Sequence, residues 1–183
     1  YGSNQIFKYL KQNEVELNNN TFSNIETNSD CGGTGISIVS TNEDYTIKYT
    51  NCKFNNNKAL TSHGGSICYG YSSNNANAKI EIRGCEFNDN IATGGHGGGI
   101  ALRTSKTIII EDCKFNSNIA NRQGDSSGSK GFGGGIYIST KFDSNGDQCM
   151  SSLTINGCRF ENNQAYQGYG LYLQGHSTTC STI

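Results

Sequence analysis

The sequence predicts an all-β chain, a right-handed parallel β-helix of about five coils, and three observations predict it. One pattern recurs in five segments; every apolar run is short, β-branched or aromatic, and alternates with period two; and no stretch of eleven or more residues carries 3.6-residue apolar spacing. The density of Asn and Gly opposes helix as well.

The segments open with Val15-x-Leu17-x-x-Asn20-x-Phe22, Ile47-x-Tyr49-x-x-Cys52-x-Phe54, Ile80-x-Ile82-x-x-Cys85-x-Phe87, Ile108-x-Ile110-x-x-Cys113-x-Phe115 and Leu153-x-Ile155-x-x-Cys158-x-Phe160. After each of the last four Phe residues come Asn at +3 (Asn57, Asn90, Asn118, Asn163) and Ala at +5 (Ala59, Ala92, Ala120, Ala165). The first segment departs twice, with Asn20 in place of Cys and Asn24 one residue early. A Gly-rich approach to another strand follows each time: Gly32 to Ile38, Gly64 to Tyr69, Gly97 to Leu102, Gly133 to Ile138 and Gly168 to Leu173. The Phe-to-Phe spacings of 32, 33, 28 and 45 residues suit strands joined by variable loops. Two residues separate the second apolar position from the Cys, which turns a corner while both arms keep their apolar side chains inward. Each coil is therefore expected to hold three strands, paired between coils roughly 4.8 Å apart.

In that register each column has a meaning. Phe22, Phe54, Phe87, Phe115 and Phe160 are expected to stack in the core, and Asn57, Asn90, Asn118 and Asn163 to form an amide ladder at a bend. Cys52, Cys85, Cys113 and Cys158 point inward, either as small buried thiols or as bridged neighbours. Outward Lys53, Glu86 and Lys114 become neighbours, and Lys48 faces Glu81. Cys31, Cys68, Cys149 and Cys180 lie off the ladder as candidate disulfide partners; Cys149 and Cys180 would tie the long loop to the C-terminal end, but spacing alone leaves the pairing open.

Composition narrows the function. Asn, Gly, Ser and Thr supply 83 of 183 positions, hydrophobic residues only 33%, and there is no Pro or Trp. A net charge of −1 argues against an electrostatic nucleic-acid binder. No run approaches the ~20 apolar residues of a membrane helix. Eight cysteines without a CxxC or Cys/His cluster favour an extracellular or cell-surface protein over a zinc protein. The chain starts at Tyr1 without a charged and apolar leader, so residues 1–183 are expected to be one β-helix domain from a processed or longer protein. Asn19-Asn20-Thr21 is a candidate glycosylation site at Asn19.

The alternation of Phe-x-x-Asn (Phe54–Asn57, Phe87–Asn90, Phe115–Asn118, Phe160–Asn163) with Gly-Gly-x-Ile (Gly64 to Ile67, Gly97 to Ile100, Gly133 to Ile136, and Gly168 to Leu171 with a Tyr inserted) resembles the repeats of chlamydial polymorphic outer membrane proteins. The resemblance extends from about residue 15 to 173. It implies an autotransporter-like, exported surface protein with an adhesive or structural role.

Catalytic chemistry has little to stand on. Gly95-His96-Gly97 resembles one piece of a polygalacturonase pattern, but the accompanying Asn-x-Asp, Asp-Asp and Arg-x-Lys are missing. Asp89 and Asp112 fall in different columns, while Glu43-Asp44 and Glu111-Asp112 read as solvated. His63 and His96 share a repeat position and are expected to form a polar corner ladder; no metal or other cofactor is expected. The fourth segment carries two excursions, Asn121 to Phe132 and Thr140 to Ser152, which make Phe132, Phe142, Asp143 and Asp147 candidate contacts for a partner. Outward Tyr137 and Tyr172 are either sugar or protein contacts or ordinary cross-strand packing. The expected partner is a protein or glycan at a cell surface, or further copies of the chain end to end. A carbohydrate-active β-helix and a self-assembling filament or coat are the alternatives.

Overall fold

The computed structural model describes residues 14–28, 31–32, 45–70, 78–103, 107–122, 130–139, 150 and 152–175. Among these are eighteen strands and no helix. Coil 1 contains β1 (Glu14–Asn18), β2 (Thr21–Ser23) and β3 (Glu26–Thr27). Coil 2 contains β4 (Tyr45–Thr50), β5 (Lys53–Asn55), β6 (Lys58–Ala59) and β7 (Ile67–Tyr69). Coil 3 contains β8 (Ala78–Arg83), β9 (Glu86–Asn88), β10 (Ile91–Ala92) and β11 (Ile100–Arg103). Coil 4 contains β12 (Thr107–Glu111), β13 (Lys114–Asn116), β14 (Ile119–Ala120) and β15 (Ile136–Ser139). Coil 5 contains β16 (Ser152–Asn156), β17 (Arg159–Glu161) and β18 (Leu171–Gln174).

The strands pair only between coils, in parallel, forming sheets β1-β4-β8-β12-β16, β2-β5-β9-β13-β17, β3-β6-β10-β14 and β7-β11-β15-β18. A complete coil thus has four strands, not the expected three. The Asn-x-Ala segment forms a two-residue strand of its own, with Ile91 opposite Lys58 and Ile119 and Ala92 opposite Ala59 and Ala120. Backbone donors here need partners, and the adjacent coil supplies them: Ile91 N–H donates to Asn57 O at 2.9 Å and Thr93 N–H to Ala59 O at 2.8 Å.

Three left-handed corners per coil explain the polar composition. The residue before each Cys (Asn51, Gly84, Asp112, Gly157), and Asn19 in coil 1, has φ between 52° and 61°. Asn24, Asn56, Asp89, Ser117 and Asn162, two after each Phe, have φ between 52° and 58°. Asn, Asp and Gly tolerate that region best. The third corner takes glycine alone (Gly32, Gly64, Gly97, Gly133, Gly168); a Cβ on Gly64 would also lie 2.8 Å from the carbonyl carbon of Ile67. These columns correct the reading of Asn24. It is not a ladder Asn displaced by one residue but the corner partner of Asn56, and Ile25 occupies the ladder place.

Inside, the five Phe rings form a continuous stack with centroid separations of 5.0, 4.7, 4.7 and 5.1 Å. Ile47, Tyr49, Ile80, Ile82, Ile108 and Ile110 fill one side and Ile67, Tyr69, Ile100, Leu102, Ile136 and Ile138 the other. Full burial contributes about 1.5–3 kcal/mol per large apolar side chain, and each aromatic pair adds about 0.5–1.5 kcal/mol.

The Asn column satisfies the corner that the strands cannot. Asn90 Nδ2 donates to Asn118 Oδ1 at 2.9 Å and to Phe54 O at 2.9 Å. Its Oδ1 accepts Asn57 N–H at 3.0 Å and Asn57 Nδ2 at 3.1 Å. Both donors and both acceptor sites of a fully buried amide are therefore used, and Asn118 repeats the arrangement against Asn163 and Phe87. Asp lacks the donors, and Ser has a single donor where two are used.

Two stability measurements test this core. Asn90→Ala leaves several buried groups unpaired at about 1–3 kcal/mol each, so urea unfolding should show a loss of about 3 kcal/mol or more. Phe87→Ala should cost about 3–5 kcal/mol, whereas Phe160→Ala, half-buried in coil 5, should cost clearly less in the same assay.

Candidate functional site

The outer face of the β7-β11-β15-β18 sheet carries a second, smaller packing unit. The residue before each corner glycine forms a column of Cys31, His63, His96, Phe132 and Gln167, linked by Gly32 N–H to His63 O, Gly64 N–H to His96 O, Gly97 N–H to Phe132 O and Gly133 N–H to Gln167 O, all 2.9–3.0 Å. Beneath it lie Cys68, Ala101, Tyr137 and Tyr172, aligned across the sheet. The Cys31–Cys68 disulfide spans a Cα separation of 5.3 Å and joins the corner of coil 1 to β7 of coil 2. Cys149 and Cys180 lie outside the described residues.

The imidazoles continue the column as hydrogen-bond acceptors. His96 N–H donates to His63 Nδ1 at 3.0 Å, and Phe132 N–H donates to His96 Nδ1 at 3.1 Å. Each ring must therefore be neutral, with its proton on Nε2, because an imidazolium has no acceptor. Burial, reinforced by His96, Arg122 and Arg103, pushes His63 down to about 3; burial and then Arg122 push His96 down to about 4. His63 meets His96 at 5.0 Å with the rings tilted by 39°, and His96 stacks on Phe132 at 5.0 Å and on Tyr137 at 4.5 Å.

From Phe132 the stack runs outward. Phe132 lies 4.7 Å from Tyr172 and 6.2 Å from Tyr166, and Lys130 Nζ sits 3.8 Å over the Tyr166 ring. Tyr166 is 53% exposed, so this end of the unit is an open aromatic shelf with one cation at its edge. Phe132 thus has its expected outer position but is half-buried in the stack. Phe142, Asp143 and Asp147 fall outside the described residues, as do Glu43 and Asp44. Of the two readings of Tyr137, packing is the one observed: it is buried under His96 and Tyr172, and its hydroxyl donates to Gln174 Oε1. What spacing missed is that both faces of this sheet are packed; the signal was the Cys/His/His/Phe column itself.

The ladder cysteines Cys52, Cys85, Cys113 and Cys158 are free thiols. Each thiol reaches the carbonyl two residues earlier, for example Cys85 Sγ to Arg83 O at 3.3 Å and Cys113 Sγ to Glu111 O at 3.1 Å. The sulfur of one coil also accepts the N–H of the coil before, Cys52 N–H to Cys85 Sγ at 3.3 Å and Cys85 N–H to Cys113 Sγ at 3.4 Å. Asn20 does the same work in coil 1, its Nδ2 donating to Asn18 O at 3.0 Å. Asn19 is exposed on its corner.

Most of the outer-face glutamates are paired with bases on the same or a neighbouring strand. Lys53 and Lys114 flank Glu86 at 3.5 and 3.8 Å. Lys48 stands opposite Glu81 in register, but its ion pair is with Glu14 at 2.7 Å; Glu81 takes Lys79 at 2.7 Å and Arg83 at 3.3 Å, and Arg83 also meets Glu111. The Lys79 hydrogen bond holds the Glu81 carboxyl below the usual carboxylate range. Asp89 and Asp112 occupy left-handed corners of different columns. Among the described residues no group of three or more His, Cys, Asp or Glu side chains is placed to hold a metal ion, and no helix is long and apolar enough to cross a membrane.

Stacked parallel coils, an axial Phe column and an amide ladder together define a parallel β-helix. The family model described as a right handed beta helix region matches residues 3–183, and the chain belongs to that family. No curated protein and no solved structure matches it.

The histidine geometry sets a pH dependence. With folded pKa values below the ordinary 6.5, the unfolded chain binds more protons in the interval between them, so the contribution of these two histidines is complete above about pH 6.5 and is lost as the pH falls through 4 towards 3. The urea midpoint should follow that slope, and His63→Gln with His96→Gln should flatten it.

Proposed function

We propose that this chain is a non-enzymatic extracellular or cell-surface scaffold that contacts a glycan or a protein through the aromatic shelf on coils 4 and 5. The observation that carries the reading is the shelf: Phe132 and Tyr172 are locked by stacking, while Tyr166 remains exposed with Lys130 against its ring. Rings held by their neighbours lose little entropy on binding and offer flat apolar faces with a polar edge. The Cys31–Cys68 disulfide supports an oxidising compartment. The Phe-x-x-Asn and Gly-Gly-x-Ile alternation, similar to that of polymorphic outer membrane proteins, supports a surface role. The pairing of Glu14, Glu81, Glu86 and Glu111 with lysine or arginine gives these acids structural work on the outer faces.

Binding of the intact protein to a glycan array and to cells tests the reading. Tyr166→Ala, at the exposed edge of the shelf, should weaken binding by about tenfold or more, the loss of roughly 1.4 kcal/mol, while the thermal midpoint stays close to that of the parent. Depolymerisation of a polysaccharide by the pure protein, lost when one outer-face acid is replaced, would put a carbohydrate-active role in its place.

A further inference from the structure

The Gly-rich corner contains a second glycine column with a separate cause. Gly65, Gly98 and Gly134 each follow the left-handed glycine of their coil, and their N–H groups donate to Gly97 O, Gly133 O and Gly168 O, all at 3.1 Å. A Cβ at these positions would point along the rod into the next coil. It would lie 2.5 Å from Ile91 N, 2.6 Å from Ile119 C and 2.8 Å from Gln164 N, and closer still to the carbonyl oxygens of Gly98, Gly134 and Tyr169. The obstructing atoms are backbone, held in place by four sheets. At this position a side chain and an in-register next coil exclude one another.

Coil 5 carries Tyr169 there. Its backbone follows the interior path: Gly168 has φ 62° against 68° for Gly133 and 70° for Gly97. The bonds from Gly133, Gly134, Gly135 and Ile136 to Gln167, Gly168, Tyr169 and Gly170, at 2.8–3.1 Å, repeat those from Gly97, Gly98, Gly99 and Ile100 to the coil above, at 2.9–3.2 Å. Only the side chain differs, and it is 66% exposed. On the same face of coil 5, Leu153, Ile155, Phe160 and Leu171 are only partly buried and Leu173 is 51% exposed. Unpaired strand edges backed by apolar side chains template the addition of another chain, and head-to-tail addition that does not close grows a filament.

We propose that Tyr169 is a stop residue: its Cβ closes the coil-5 face to in-register stacking by a second copy of this chain. The element acts through backbone sterics, so the blocking atom is the Cβ rather than the phenol ring.

Sedimentation velocity of the whole disulfide-bonded chain over a wide concentration range tests this with three proteins. The parent should remain monomeric, Tyr169→Gly should rise with concentration towards about twice the monomer mass and beyond, and Tyr169→Ala, which keeps the Cβ, should behave as the parent. Association of the parent through this end, a monomeric Tyr169→Gly, or a Tyr169→Ala that associates like Tyr169→Gly would each overturn the proposal. The steric premise has its own check in an interior coil: Gly98→Ala should lower the thermal midpoint strongly, and an unchanged midpoint would remove the premise.

Discussion

Every feature of this protein depends on the repeat distance between coils. Parallel strands stack at about 4.8 Å, and the side chains that succeed inside are those that stack at the same distance. A benzene ring meets its copy at 4.7–5.1 Å, and a primary amide meets its copy at 2.9–3.1 Å from nitrogen to oxygen. A thiol can take a backbone N–H from one side and give its proton to a carbonyl on the other. The three inward columns are three solutions to one geometric condition.

The same condition accounts for the low apolar content. A coil turns at three left-handed corners, and Asn, Asp and Gly fill most of them, so much of the polar composition is the cost of turning rather than a sign of disorder. The core stays continuous because each coil contributes a fixed set of inward residues and is sealed by the next. Most of the stabilising contacts therefore lie between residues some thirty positions apart, as in other solenoids.

Function has to be carried by what departs from the repeat. Cys31 and Cys68, the His63–His96 pair, Phe132 and Tyr166 all sit on one outer face, where the column changes chemistry from coil to coil. From coil 2 to coil 5 the inner Phe, Asn and Cys columns keep theirs. Tyr169 is the corresponding departure along the axis: the repeat asks for glycine and the chain supplies a side chain. In the proposed reading one outer face offers the contact surface, and the Tyr169 side chain closes the coil-5 face to a second copy.

The amino-acid sequence by itself determined the fold, the register and the inward Phe, Asn and Cys columns, because a period-two pattern with one break per turn has a single way to stay buried. It also contained the corner chemistry, though Asn24 was misread for want of a φ angle. Tertiary structure alone decided the fourth strand, the Cys31–Cys68 pairing, the neutral imidazole acceptors and the burial of Tyr137. Those depend on distances across the outside of the coil, where loops of different length bring residues together. No local periodicity encodes that meeting.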